Sequence, residues 1–409
     1  LSSVNDQAVG AVGTANTYIG IFIIMFSVIS SGMVAVMTQN IGAGRPGVAY
    51  QARQLGLAFN AVLGIILSLI LAFGAGTILA GVGVADALMQ PARTYLQIVG
   101  GFCILNALIP ICSSYLRAFG FSKEPLYASI IGNVINFCLN AFFLFVLHKG
   151  VAGVATATVI SRIINLVIVV MLGAVLVKAK QHPERESNRE VMGQIIRIGL
   201  PSACETAIYN VSMTLVIRFL NQMDAQGLNV TARSYTMQIT NFSYCVGAAL
   251  AQANAIMTGW RIGAKEYDAC DRGTRKAAII GVIVAVILET MFALCSGWIM
   301  QLFSKDPQMV SLVGKLLAID IVLEMGRVTN LVYGQALKTS GDAVFPVVMG
   351  ACFMILCSVG GTYLFGIRLG LLAVGAYIGM AGDECVRAVG MYLRWKSGKW
   401  KEKGLVKSR

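Results

Sequence analysis

The sequence predicts an all-α membrane protein, a polytopic helix bundle of two pseudo-symmetric six-helix lobes in which eleven helices are visible. Of the 409 residues, 57% are hydrophobic and only 12% are charged, whereas soluble domains carry about 25% charged residues. Apolar residues also form long uncharged runs, for example from Arg53 to Asp86 and from Asp342 to Arg368. A membrane-spanning helix needs roughly 20 such residues. Soluble enzymes, secreted disulfide scaffolds and transmembrane β-barrels are therefore excluded.

Eleven apolar segments are long enough to be membrane spans, and short polar connections separate them. Turn signals such as Ser340-Gly341-Asp342 punctuate these connections. The longest polar stretch, Lys178 to Glu190, lies near the middle of the chain and is expected to join two halves. The predicted spans are residues 16–39, 54–80, 92–116, 125–147, 150–177, 196–223, 232–260, 277–302, 308–336, 343–366 and 369–393.

Alternate loops differ sharply in charge, which predicts the orientation of the chain. One set holds 22 of the 32 Lys and Arg residues and the opposite set holds 6; the richer set comprises 40–53, 117–124, 178–197, 261–276, 338–342 and the tail from 394. Positively charged loops face the cytoplasm. We therefore expect a multi-pass protein of the cell membrane with a cytoplasmic C-terminus. The net charge of +13 reflects this orientation, and no nucleic-acid partner is expected.

The two halves of the sequence repeat at an offset of 221 residues. Ile41-Gly42-Ala43 recurs as Ile262-Gly263-Ala264, and Leu116, Gly120 and Pro125 recur as Leu337, Gly341 and Pro346. Both matches fall in loops on the same predicted side, so the halves run parallel, which is a known plan of secondary transporters.

The repeat also predicts the domain limits. We expect an N-terminal lobe at 1–180, a cytoplasmic linker at 181–195, a C-terminal lobe at 196–393 and a basic cytoplasmic tail at 394–409. Because the span at 196–223 has no partner in the first half, we also expect a parent of twelve helices whose first helix is absent from this sequence.

Several short motifs together resemble those of the MATE family, the multidrug and toxic compound extrusion transporters. They are Gln39 to Gly44, Leu116 to Gly120 with Pro125, Gly150 to Thr158, Ala336 to Asp342 with Pro346, and Asp383 to Arg387. The resemblance extends over the whole chain from the family's second helix onward. It implies a two-lobed bundle that exports organic, often cationic, compounds in exchange for Na⁺ or H⁺. The aspartate that many members carry in their first helix is missing here with that helix.

Charged residues inside the spans are the candidate site residues, because each costs at least ~2.5–3.5 kcal/mol at the centre of a membrane helix. Glu205 follows Pro201, and a proline loosens the helix that contains it. We expect Glu205 to face a cavity and to bind the coupling ion or the substrate, as the family resemblance also implies. The alternative is that it reaches the cytoplasmic headgroups.

Asp320, Glu324 and Arg327 share one face of the tenth helix of the parent. Glu324 and Arg327 are expected to form a structural clamp. Asp320 is either the titratable or Na⁺-binding member of the site or a residue of the outer interface, and both alternatives remain open.

Asp383, Glu384 and Arg387 repeat this spacing in the last helix. Their surplus negative charge could attract a cation or pair with Arg327, and a structural network is the preferred interpretation. Glu289 stands alone in its span, without a partner at helical spacing.

Neutral polar residues form a further candidate cation site in the N-terminal lobe. Asn136 and Asn140 share a helix face, and Thr158 lies on the following helix. Their oxygens could help to ligate Na⁺, although hard cations usually also require a carboxylate. The alternative is hydrogen bonding between helices.

The preferred function is that of a secondary active multidrug efflux antiporter that works by alternating access. It is expected to export organic, mostly cationic, compounds in exchange for H⁺ or Na⁺, as a monomer in the lipid bilayer and with no cofactor besides the ion. The alternative is a lipid-linked oligosaccharide flippase of a related superfamily branch, which would line its cavity with Arg and Lys. With two histidines and no Cys-x-x-Cys pair, neither a metal centre nor catalytic residues are expected, and a membrane-embedded enzyme is disfavoured.

Overall fold

The computed structural model describes residues 6–81, 86–178, 182–224 and 226–406. These residues are almost entirely helical and contain no β-strand, so the predicted all-α fold class is confirmed. Within them, the α-helices are α1 (Asp6–Gly42), α2 (Pro46–Gly81), α3 (Asp86–Tyr95), α4 (Ile104–Ala118), α5 (Lys123–Ala141), α6 (Gly150–Leu176), α7 (Asn188–Met223), α8 (Leu228–Gly263), α9 (Tyr267–Leu294), α10 (Ser296–Met300), α11 (Pro307–Ser340), α12 (Val344–Phe353) and α13 (Leu372–Lys396).

Each of the eleven predicted spans coincides with a helical segment. The span predicted at 92–116 is a pair of helices that bends by 43° between α3 and α4, and α12 continues through π-helical turns at Met354–Val359 and Thr362–Arg368. Within the described ranges, six helices are long and apolar enough to cross a membrane, or seven if the bent pair is one span. The helices α7, α8, α11 and α13 are not among them, because they carry polar and charged residues.

The outer surface of α2 illustrates how the bundle meets lipid. Val62, Ile65, Leu69 and Phe73 recur at helical spacing along this helix, and all are exposed. Large contiguous apolar surfaces of this kind are rare on soluble monomers and mark contact with membrane or protein. The exposed apolar surface and the length of the helices therefore both indicate a multi-pass membrane protein.

The chain divides into two compact units, Leu1–Leu200 and Pro201–Arg409. The boundary falls inside α7, at Pro201. The segment predicted as a linker, 181–195, is thus part of the first unit, and α7 already begins at Asn188. Residue 181 of that segment and residues 407–409 of the predicted tail lie outside the described residues.

Polar contacts attach the segment before α7 to the first unit. Glu186 forms an ion pair with Arg45, and its backbone accepts a hydrogen bond from the Gln51 side chain at 2.7 Å. Arg185 donates to the backbone oxygen of Gly47 at 2.8 Å. These partners lie at or just after the turn between α1 and α2. The segment before α7 is therefore packed against that turn.

Two glycines allow α1 and the start of α7 to pack backbone against backbone. A Cβ atom at Gly32 would lie 1.9 Å from the carbonyl oxygen of Ile195, and one at Gly199 would lie 1.7 Å from that of Val28. Small residues at such crossings let membrane helices approach closely enough for extensive van der Waals contact. Any side chain at either position must push the two helices apart.

Corresponding turns of the two units adopt the same backbone conformation, as the repeat predicts. Gly120 and Gly341, 221 residues apart, both have a left-handed backbone with φ of 90° and 99°. Each turn is closed by the same hydrogen bond, from Phe121 to the oxygen of Leu116 and from Asp342 to the oxygen of Leu337. Glycine suits these positions because the left-handed region is strained for other residues.

In the second unit, α11 packs against α8, α9 and α13. Val328 of α11 fits against two glycines, since a Cβ at Gly247 of α8 or at Gly281 of α9 would lie 2.7 or 2.6 Å from its methyl groups. Gly326 makes the corresponding contact with α13: a Cβ there would lie 2.8 Å from the backbone nitrogen of Cys385. The charged residues of α11 are therefore held among three neighbouring helices.

Substitution at the crossing of α1 and α7 tests this packing. Gly199→Ala should destabilise the protein by about 1–3 kcal/mol, because the added methyl group clashes with a backbone oxygen that cannot move alone. Gly193→Ala, in the same helix with no atom within 4 Å of the added Cβ, should leave stability unchanged or raise it slightly. The midpoint of thermal unfolding in detergent measures both, and equal midpoints would contradict the close approach.

Candidate functional site

A chain of charged side chains links α11 to α13 inside the second unit. Arg327 contacts Glu324 on its own helix at 3.3 Å and Glu384 of α13 at 3.4 Å. Arg387 contacts Glu384 at 2.9 Å. Asn330 of α11 donates a further hydrogen bond to Glu384 at 3.0 Å. Glu384 is thus the shared acceptor between the two arginines.

Arg387 also binds Asp383 through two hydrogen bonds, of 2.8 and 2.9 Å. The Ser358 hydroxyl donates to the same carboxylate at 2.9 Å. Asp383 and Arg387 are both almost completely buried. Paired groups with satisfied hydrogen bonds are the arrangement in which charges tolerate burial. The preferred interpretation of this cluster, a structural network, agrees with its geometry.

Glu205 has a partner that the sequence pattern did not indicate. Its carboxylate lies 2.6 Å from the ammonium group of Lys338, and both side chains are largely buried. Glu205 lines a cavity, where it is one half of an ion pair between α7 and α11. Its charge is therefore compensated within the protein.

Two adjacent cavities lie against this network. Both are lined by Tyr209, Tyr244 and Arg327. The first, of about 270 Å³, also contacts Arg233, Met237, Asp320 and Tyr377 among others. The second, of about 260 Å³, also contacts Glu205, Asn330, Lys338, Glu384 and Arg387 among others. Together they form a polar cleft with aromatic and methionine walls.

Two buried carboxylates near the cleft lack the compensation that the others have. Asp320 is 2% exposed, and its Oδ2 has no hydrogen-bond partner in the described part of the chain. Glu289 of α9 is fully buried and forms no ion pair within 4 Å among the described residues, and Ser243 is its hydrogen-bonding neighbour. It interacts electrostatically with Asp320 and Glu324. A bare carboxylate in apolar surroundings is costly unless it binds a proton or a cation.

The start of α8, which carries Arg233, is fixed by hydrogen bonds outside the spans. Asp224 accepts from the backbone of Leu228 at 2.9 Å and from the backbone of Asn229 at 3.0 Å, and the Asn229 side chain accepts from the backbone of Ala373. Burial raises the pKa of Asp224, but the hydrogen bonds from Asn229 and Leu228 outweigh burial, so this pKa lies below its ordinary value. Asp224 is therefore an ionised cap at neutral pH.

The candidate cation site of the first unit consists of neutral polar side chains, in contrast to the charged residues of the second unit. Asn140 donates to Asn136 at 3.0 Å, Asn136 donates to Ser161 of α6 at 3.3 Å, and the Thr158 hydroxyl donates to the backbone of Val154. Among the residues described, no group of three His, Cys, Asp or Glu side chains could hold a metal ion. These contacts favour the alternative interpretation, hydrogen bonding between α5 and α6.

Comparison with known proteins identifies the family. Residues 1–142 and 201–364 match the family model described as MatE. The chain belongs to the MatE family. It is 33% identical over 412 residues to "Uncharacterized transporter YisQ" of Bacillus subtilis (strain 168), a match that covers 99% of this chain and 90% of that protein. The suspected family is thus shown, and the protein is a membrane transporter and not an enzyme.

More distant MatE proteins agree over nearly the whole length. "Probable multidrug resistance protein NorM" of Thermotoga maritima is 22% identical over 417 residues, covering 98% of this chain and 87% of that protein. A solved structure, "Crystal structure of MATE in the bent conformation", matches with a TM-score of 0.89 at 18% identity over 98% of this chain and 90% of that chain. At that identity the likeness shows the fold alone.

The structure brings together most of the residues predicted in the second half and adds several others. Glu205, Asp320, Glu324, Arg327, Asp383, Glu384 and Arg387 all lie in or beside the cleft, whereas Asn136, Asn140 and Thr158 belong to the first unit. Sequence reasoning missed Lys338 because it was counted with the loop at 338–342. It missed Arg233 because this residue, at the edge of the span predicted at 232–260, was counted with the preceding loop at 218–233. It also left Glu289 unassigned. The sequence feature that could have marked Glu289 as a candidate site residue is its position as a lone carboxylate inside an apolar helix.

Removal of Arg387 tests whether the charge network holds α11 to α13. Arg387→Gln should destabilise the protein by about 3–5 kcal/mol, because Asp383 and Glu384 would remain buried with one cation fewer. Arg275→Gln removes an exposed pair with Asp271 and should cost about 0–1 kcal/mol.

The double variant Asp383→Asn with Arg387→Gln supplies the internal control. It should recover part of the stability lost in Arg387→Gln, since the uncompensated carboxylate is then gone. Thermal unfolding midpoints in detergent report all three variants. A double variant that is no more stable than Arg387→Gln alone would contradict a compensated network.

Proposed function

We propose that this MatE protein is a secondary active multidrug efflux antiporter. It exports organic compounds, mostly cationic, in exchange for H⁺ or Na⁺ by alternating access. It acts as a monomer in the cell membrane with its C-terminus in the cytoplasm and needs no cofactor besides the coupling ion. Distant relatives named as probable multidrug resistance proteins support the efflux assignment, and the charged tail supports the orientation.

The observation that carries the proposal is the state of Asp320. This carboxylate lies in the wall of a cavity with one oxygen unpartnered, whereas Glu205, Glu384 and Asp383 are engaged with basic side chains. In this proposal Asp320 is the coupling residue. A proton or Na⁺ and a cationic substrate compete for it, so that binding of one disfavours the other.

The charge of the cleft favours this proposal over a flippase. Four basic side chains line the two cavities: Arg233, Arg327, Lys338 and Arg387. Three of them are held by carboxylates in ion pairs of the second unit. A lipid-linked pyrophosphate carries at least two negative charges and would require more uncompensated cations than this arrangement offers.

Transport in proteoliposomes tests the proposal. We expect an imposed Na⁺ gradient or an imposed proton gradient to drive transport of the fluorescent cation rhodamine 123, and the gradient that works identifies the coupling ion. Asp320→Asn should abolish gradient-driven transport, because the amide binds neither a proton nor the charge of the substrate. Asp268→Asn, an exposed carboxylate at the start of α9, should transport like the parent protein.

Two outcomes would contradict the proposal. One is transport by Asp320→Asn at the rate of the parent protein under the same gradient. The other is no transport of the dye under either gradient by protein that elutes as a folded monomer. In the second case, transfer of a fluorescent lipid-linked sugar pyrophosphate between leaflets measures the flippase alternative directly.

A further inference from the structure

The cavity beside α8 contains a buried arginine that no carboxylate compensates. Arg233 is 7% exposed, and its Nε has no hydrogen-bond partner among the described residues. Among the described residues, its guanidinium group donates a long hydrogen bond of 3.9 Å to the Met213 sulfur. No ion pair within 4 Å involves it in the described part of the chain. A guanidinium group carries five donors, and the buried Nε donor of Arg233 is free to bind a ligand.

The same cavity contains a carboxylate that forms no ion pair within 4 Å in the described part of the chain. Asp320 lines it together with Arg233, and no ion pair within 4 Å joins the two among the residues described. Arg327 attracts Asp320 electrostatically, whereas Glu384, Glu289 and Glu324 repel it. Tyr377, which also lines the cavity, interacts electrostatically with both Arg233 and Asp320. The cavity thus offers separate sites for an anion and for a cation.

The walls between these charges suit a flat aromatic molecule. Tyr209, Tyr244 and Tyr377 line the cavity, and so do Met213 and Met237. Tyrosine faces stabilise cations near Asp320, and methionine side chains adapt to ligands of varied outline. The volume of about 270 Å³, next to a second cavity of about 260 Å³, admits a fused-ring compound.

From this arrangement we propose that the preferred substrates are aromatic zwitterions, whose carboxylate is bound by Arg233 while their cationic end faces Asp320. The inference rests on the proposed function and narrows its substrate class. Charge-assisted hydrogen bonds to a guanidinium group are about twice as strong as neutral ones, and guanidinium binds carboxylates in a bidentate geometry. Arg233 is thus the residue that distinguishes zwitterions from simple cations. Asp320 is expected to interact with the cationic group of both zwitterions and simple cations.

Two dyes that differ in one group test the inference by binding alone. Rhodamine 110 carries a free carboxylate and is zwitterionic near neutral pH, whereas rhodamine 123 is its methyl ester and a simple cation. Fluorescence anisotropy with the purified protein in detergent, without any ion gradient, gives both dissociation constants. The parent protein should bind rhodamine 110 roughly tenfold more tightly than rhodamine 123.

Variants separate a binding role from a structural one. Arg233→Gln should remove the preference for rhodamine 110 while changing the affinity for rhodamine 123 by less than about threefold. Arg233→Lys should keep part of the preference, because it keeps the charge without the bidentate geometry. Arg218→Gln, which changes an exposed arginine near the end of α7, should keep the full preference. Asp320→Asn should weaken the binding of both dyes.

Equal affinity of the parent protein for the two dyes would overturn the inference, and so would an equal loss of both affinities in Arg233→Gln. Neither result would affect gradient-driven export of rhodamine 123, which tests the proposed function separately. Conversely, a preference for rhodamine 110 without gradient-driven transport of either dye would support the inference and contradict the antiporter.

Discussion

The second unit depends on how charge is buried beside helix α11. Asp320, Glu324 and Arg327 on this helix, and Glu384 and Arg387 on α13, are all largely inaccessible to solvent. Water cannot stabilise them there, so each must find a charge of opposite sign or remain a source of unfavourable energy. The alternation of Glu324, Arg327, Glu384 and Arg387 meets this condition by sharing one acceptor between two guanidinium groups. The close approach of α11 and α13 at Gly326 makes the sharing possible.

The need of a buried charge for a partner of opposite charge also distinguishes structural charges from functional ones. Glu384 and Asp383 have strong partners and hold the helices together. Asp320 and Arg233 line a cavity, and each has an atom without a hydrogen-bond partner and no ion pair within 4 Å among the described residues. An uncompensated group that survives in such a position stabilises a bound ion or ligand better than it stabilises the empty protein. The first unit presents a contrast, because its candidate site consists of neutral groups that bond one another.

The fold and about half of the candidate site could be predicted from the sequence. The predictable half of the site consists of residues that are close to one another in the sequence. The pairs Glu324–Arg327 and Asp383–Arg387 are three and four residues apart, and helical geometry alone brings such residues together. Glu205 and Lys338 are 133 residues apart, and nothing in a single sequence indicates that α7 and α11 meet there. Arg233 was counted as a loop charge because it lies only two turns inside α8. The attachment of residues 182–188 to the turn at Arg45 was likewise invisible, since it rests on tertiary contacts.

The account rests on one claim, that Asp320 is the carboxylate that binds the coupling ion and competes with the substrate. Dicyclohexylcarbodiimide, which reacts with protonated carboxyl groups in apolar surroundings, tests it when the site of modification is located by peptide mass spectrometry. We expect modification of Asp320 in preference to Glu384 and Asp383, which are engaged in ion pairs with arginine, and we expect saturating rhodamine 123 to protect Asp320. Modification centred on Glu384 or Asp383, or modification of Asp320 that the dye leaves unchanged, would contradict the claim.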